Sequence, residues 1–149
     1  MQETDYAWLA GIIDGEGSIF VSKVIVPENR CGFTYRAQLT VSNTNEQLVR
    51  KVKEIIGSGT ICHILETRND WKDRYEYLAY GGTIRTILPK LMPYLVAKRL
   101  QAQKVLELLA LFTQGTRGVD VEQVEKLYLE IKVLNTKGKL TPLLPKEVH

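Results

Sequence analysis

Cysteine and histidine are scarce, with two of each in 149 residues. Cys31 and Cys62 stand far apart, in neither C-x-x-C nor Cys/His spacing, which excludes the usual zinc sites and fits a reduced, intracellular protein. Cys62 and His63 read as ordinary strand residues. No apolar run approaches the roughly 20 residues that a bilayer span requires. No secretory leader is recognisable either, so the chain is expected to be cytoplasmic or organellar, with no membrane partner. A strong charge of one sign is also missing. The formal charge of +3 and pI near 8.8 permit nucleic acid without arguing for it. Nor is there a composition shift that would mark a second domain. A hydrophobic content of 44% supports one core, and the expectation is a single domain over residues 1–135. Residues 136–149 follow as a basic, flexible arm carrying Lys137 and Lys139.

What is present is concentrated near the start, in Trp8-Leu9-Ala10-Gly11-Ile12-Ile13-Asp14-Gly15-Glu16-Gly17. Helical spacing puts Ala7, Ala10, Gly11 and Asp14 on one small-residue face and Leu9, Ile12 and Ile13 on a bulky one. Bulky aliphatics suit the chain's own core, whereas Ala and Gly let a second backbone approach closely. Gly15 and Gly17 end the helix, presenting Glu16 at its C-terminus. An anion is disfavoured there by the macrodipole unless a cation offsets it. Carboxylate and backbone carbonyl form a hard-oxygen set that suits Mg²⁺. Taken alone, Asp-Gly-Glu-Gly is no more than a polar turn.

Along the rest of the chain, β-branched residues from Ser18 to Val26 and an extended pattern from Phe33 to Val41 flank a Pro27–Gly32 break, predicting a hairpin. In its second strand Tyr35, Ala37, Leu39 and Val41 alternate with Thr34, Arg36, Gln38 and Thr40, one face for a core and one for solvent. Arg36, Gln38 and Thr40 are also side chains able to hydrogen-bond base edges. Asn45 predicts an N-cap for a helix carrying Leu48, Val49, Val52, Ile55 and Ile56 and stopping at Gly57. Thr60–Leu65 and Trp71–Tyr80 predict a second hairpin around Arg68, closed by Gly81-Gly82. Arg74 and Glu76 suggest one polar face of its last strand, with Tyr75 and Tyr77 available to nucleic acid from the other. Helices are expected over 84–91, 97–112 and 121–134, with Leu100, Val105, Leu108, Leu109 and Phe112 as packing residues.

The string Leu9 to Gly17 resembles the LAGLIDADG motif of homing endonucleases and their maturase relatives, departing conservatively at Ile12, Gly15 and Glu16. The αββαββ order with helices after it is similar over nearly the whole chain, so the resemblance implies an α+β fold whose antiparallel sheet forms a DNA-binding saddle. No second motif occurs. The resemblance therefore implies a homodimer meeting at Ala7, Ala10, Gly11 and Asp14, acting on double-stranded DNA rather than a small-molecule substrate. Two copies of Glu16, helped by Gly15, would hold divalent ions at the dimer axis. Asn43, just past the second strand, matches the family's water-orienting position, and Gln47 would support it. Pro93-Tyr94-Leu95 followed by Lys98 matches the family's lysine, which would offset developing phosphate charge. DNA contacts are expected from Ser22, Arg30, Arg36, Gln38, Thr40, Arg68, Arg74, Tyr75, Tyr77, Lys137 and Lys139. The implied reaction is cleavage of both strands of a long, near-palindromic duplex, leaving 3′ overhangs. An intron maturase, a noncatalytic DNA-binding relative and a pure dimerisation module are the alternatives, and Glu16 favours the enzyme over all three.

Overall fold

The computed structural model of the protein describes residues 2–28, 32–112 and 120–136. Along the chain lie α1 (Glu3–Glu16), β1 (Gly17–Ile25), β2 (Phe33–Asn43), α2 (Glu46–Ile56), β3 (Thr60–Ile64), β4 (Arg74–Tyr80), α3 (Gly81–Leu91), α4 (Arg99–Leu111) and α5 (Val121–Leu134). This is the expected αββαββ order with helices after it. The end signals read from sequence act as such in α2: the Asn45 side chain accepts from the Leu48 N–H at 3.2 Å, and Gly57 stops the helix in the left-handed region at φ 88.

The four strands form one antiparallel sheet in the order β1-β2-β4-β3, so the two hairpins join through β2 and β4. Strand alternation divides the sheet cleanly. Ile19, Val21, Ala37, Leu39, Val41, Tyr77 and Ala79 are buried and pack with Leu9, Ala10, Ile13, Val49, Val52, Ile84 and Leu88 into one core. The residues between them, Ser18, Phe20, Ser22, Arg36, Gln38, Thr40, Ser42, Arg74, Glu76, Leu78 and Tyr80, stay half-buried or exposed on the opposite face. No described helix is long and apolar enough to cross a membrane.

Four expectations change. Tyr77 is a core residue with no exposure, its hydroxyl donating to the Ser58 carbonyl at 2.8 Å, and burial pushes that hydroxyl up to about 12. Tyr75 shares its face, stacked on His63 with centroids 4.7 Å apart, so neither tyrosine lies on the open side. Gly81 and Gly82 do not close the hairpin but begin α3 directly after β4. Leu100, read as packing, is 49% exposed, while Val105, Leu108 and Leu109 are buried. Arg30, Lys137 and Lys139, and with them the basic arm, lie outside the described residues.

Candidate active site and nucleic-acid interface

Helix α1 enters β1 without an intervening residue: Glu16 is the last helical residue and Gly17 the first of the strand. Gly17 donates its N–H to the Ile13 carbonyl and leaves in an extended conformation. A Cβ on Gly17 would stand 2.9 Å from Ile13 Cα and 3.0 Å from its carbonyl oxygen, so the motif's last glycine is required by close backbone approach. Gly15, expected with Gly17 to end the helix, is instead carried inside it, where an added Cβ would meet nothing within 4 Å. Glu16 therefore stands exposed at the junction of helix and sheet, at the helix's negative end.

Beside it lies a clamp that joins the motif to the entry of α4. Asp14 Oδ2 accepts from the Val96 N–H at 2.8 Å, and its Oδ1 from the Lys98 N–H at 3.0 Å. In return Lys98 Nζ donates to the Asp14 carbonyl oxygen at 2.8 Å. Lys98 is the N-cap of α4 and has no capping oxygen of its own, so Asp14 supplies the anion that this helix start lacks. The family-matched lysine is thus brought, 9% exposed, to within two residues of Glu16 along the motif. A cleft of about 300 Å³ opens here, lined by Asp14, Gly17, Ser18, Phe20, Lys98 and Asn135.

The other expected catalytic positions sit less directly. Gly17 pairs with Val41, so the last residues of β2 run on past the start of β1, alongside the end of α1. Asn43 ends the strand, and its Oδ1 accepts from the Asn45 N–H at 2.8 Å. Gln47 is exposed in the first turn of α2. No group of three or more metal-ligating side chains assembles among the described residues. Glu16 and the Gly15 carbonyl nevertheless fit a hard divalent cation, which binds through one or two carboxylates with water and substrate phosphate completing its shell.

The helix face read as the dimer contact is redrawn. Ala10 has no exposure, and it shares the core side of α1 with Tyr6, Leu9 and Ile13, to which i+3 and i+4 spacing assigns it. Asp14 is committed to the clamp. The exposed stripe is instead Ala7, Gly11 and Gly15, spaced by four, flanked by Trp8 at 37% exposure. A Cβ at Gly11 or Gly15 would meet only open space within the chain.

On the open sheet face, Ser22 lies opposite Arg36, and Gln38 lies between Phe20 and Tyr80. The Arg36 guanidinium sits over the Tyr80 ring at 5.4 Å, which gives it a platform and a direction. Arg74 is exposed on the same face. Arg68 differs: it is folded onto Glu66 at 2.9 Å and over Trp71 at 3.7 Å, and it holds the Glu66 carboxyl down to about 2. Asp14's clamp and Tyr80's platform were both missed by sequence reasoning. The missing cap at the start of α4 is the one signal that pointed to the first.

Residues 9–113 match the family of LAGLIDADG endonucleases. The chain belongs to that family. It is 33% identical to the DNA endonuclease I-CvuI of Chlorella vulgaris over 147 residues, which cover 97% of this chain and 87% of that protein. Among solved structures, I-CvuI in complex with its target in the presence of calcium superposes with a TM-score of 0.73 at 30% identity, covering 92% of this chain and 85% of that one. The archaeal intron-encoded homing endonuclease I-Vdi141I complexed with DNA gives 0.75 at 18% identity, over 93% and 88%, a likeness of fold alone. The LAGLIDADG string is therefore the family's own motif, and Glu16 occupies its terminal acidic position.

Proposed function

We propose that this LAGLIDADG endonuclease is an intracellular, intron-encoded, site-specific enzyme that works as a homodimer on double-stranded DNA. The observation that carries the reading is the junction itself: Glu16 ends the motif helix where the open sheet face begins, and Asp14, two residues before it, holds Lys98. The stripe of Ala7, Gly11 and Gly15 would pack against its copy, bringing two Glu16 side chains to the twofold axis. Twofold symmetry then calls for a near-palindromic duplex, each sheet following roughly 10 base pairs of major groove. Glu16, with the Gly15 carbonyl, would hold Mg²⁺ or Mn²⁺, which when bound activates water and stabilises the leaving oxygen. Lys98 offsets charge on the phosphate, and Asn43 and Gln47 orient water through their amides. Cleavage of both strands leaves short 3′ overhangs.

A noncatalytic or maturase role has no use for an exposed acid at a helix C-terminus, where it costs stability. The test is Glu16→Gln on a duplex that the wild-type protein cuts. Cleavage in Mg²⁺ is abolished and duplex binding stays near wild type. Substantial nicking by the variant overturns the metal-holding role. Light scattering reads the assembly: Gly11→Leu forces the stripes apart and weakens the dimer by about 1–3 kcal/mol or more. A monomeric wild type that still cuts both strands overturns the dimer.

A further inference from the structure

Glu76 is out of place on a surface meant to meet a polyanion. It lies in the middle of β4 on the open side, directly opposite Ser42 of β2 and Cys62 of β3. The Ser42 hydroxyl donates to its Oε2 at 2.9 Å, so one carboxylate oxygen is fixed and the side chain is aimed rather than loose. Among the described residues no cation lies within ion-pair distance of it. Arg74, two residues back on the same strand and on the same face, is exposed. Resting on the function proposed above, we infer that Glu76 is a specificity-determining residue that reads an amino group on a base edge in the major groove, cytosine N4 first and adenine N6 second.

An ionised carboxylate can only accept hydrogen bonds. Phosphates offer it nothing but repulsion, so it adds no general affinity. In the major groove the donors are the cytosine N4 and adenine N6 amino groups, while guanine and thymine present acceptors at the corresponding edge. A fixed acid therefore rewards two bases and penalises the other two. Ser42 is the positioning residue, since its hydrogen bond selects which oxygen points outward. In its own row Ser42 and Cys62 are uncharged, and so are Thr40, Leu78 and Thr60 in the row on one side, while Arg74 lies in the row on the other.

The experiment selects duplexes from a randomised pool with the wild-type protein, then measures binding to every single-base variant of the selected site. Wild type requires cytosine or adenine at one position in each half-site. Glu76→Gln moves the preference at that position towards adenine, which a carboxamide bonds through N6 and N7, and leaves the other positions unchanged. Glu76→Ala lowers discrimination there by about 10-fold or more, while binding to unselected duplex at low salt tightens because a repulsive charge is gone. Ser42→Ala gives a smaller loss at the same position. Unchanged preference at every position in Glu76→Gln, or an equal loss at all positions, overturns the inference while site-specific cleavage by the wild type still stands. If the wild type itself selects no sequence, the function proposed above fails, and the inference with it.

Discussion

The two faces of the sheet are made by the same strands, residue by alternate residue, yet they obey different rules. On the covered face every position is chosen by its neighbours. Tyr77 fills the space over Gly59, where φ is +106 and an added Cβ would stand 2.5 Å from the ring, and its hydroxyl is used up on Ser58. On the open face the contacts are sparse and lateral: Arg36 over Tyr80, Ser42 to Glu76. The first arrangement specifies a shape, whereas the second holds a few polar heads at defined angles and leaves their outer atoms for a ligand. Burial rather than residue type decides which tyrosine is structural.

The largest effect is expected for Tyr77→Ala, which should lower unfolding stability by about 3–5 kcal/mol through a buried cavity and an orphaned carbonyl. Tyr80→Ala, three residues on, should change it by no more than about 0.5 kcal/mol. Urea denaturation of the two variants measures the difference, and equal losses would reverse the assignment of the faces.

Next comes the clamp, which touches both faces' business by tying the motif to α4. Asp14→Asn removes the negative charge and one of two acceptors, so stability should fall by about 1.5–3 kcal/mol. Single-turnover cleavage should slow as well, because Lys98 loses its seat. Wild-type melting and rate in that variant would remove the clamp from the account.

On the open face, Arg36→Ala is expected to cost about 1–3 kcal/mol of discrimination at particular base pairs with little change in folding. A uniform loss across all duplexes would instead make Arg36 a phosphate contact.

The smallest effect sharpens the covered face at its edge. Glu125 of α5 accepts from the Tyr35 hydroxyl and from Lys23 Nζ at 3.3 Å, and the Tyr35 hydroxyl first, then Lys23, holds its carboxyl below the usual range. A depressed pKa in the folded state means that this tie is fully present above the unfolded carboxylate value and is lost as pH falls through the folded one. Glu125→Gln should therefore cost about 1 kcal/mol or less at neutral pH and flatten the acid side of the stability profile. An unaltered acid limb would show that the tie contributes nothing.

Much of this was legible without coordinates. Alternation in β2 separated Leu39 and Val41 from Arg36 and Gln38, and Asn45 and Gly57 bounded α2, because these signals act within a few residues. The motif singled out Glu16 and the family pattern Lys98, which the structure brings against Asp14 of the motif helix. What could not be read depends on distant partners. Asp14 meets residues more than eighty positions away, so its helix offers no sign that its carboxylate is already engaged. Ala10 fell on the wrong side because Ala suits a close contact with the chain's own core as well as with a second copy. Tyr75 and Tyr77 were ambiguous since an amphipathic ring serves either face, and only the helices laid over one of them decide.

The absence of a linker between α1 and β1 has a mechanical consequence. On the function proposed above, the strand that would lie in the groove and the carboxylate that would address the phosphate are parts of one lever with no joint between them, because Gly17 is pinned to Ile13. Sliding the duplex by a single step, about 3.4 Å along the strand, carries the scissile bond away from Glu16 by a similar distance, and no flexible segment can restore it. Near-matching sequences would then be held but left uncut, so that fidelity would reside in alignment as much as in affinity.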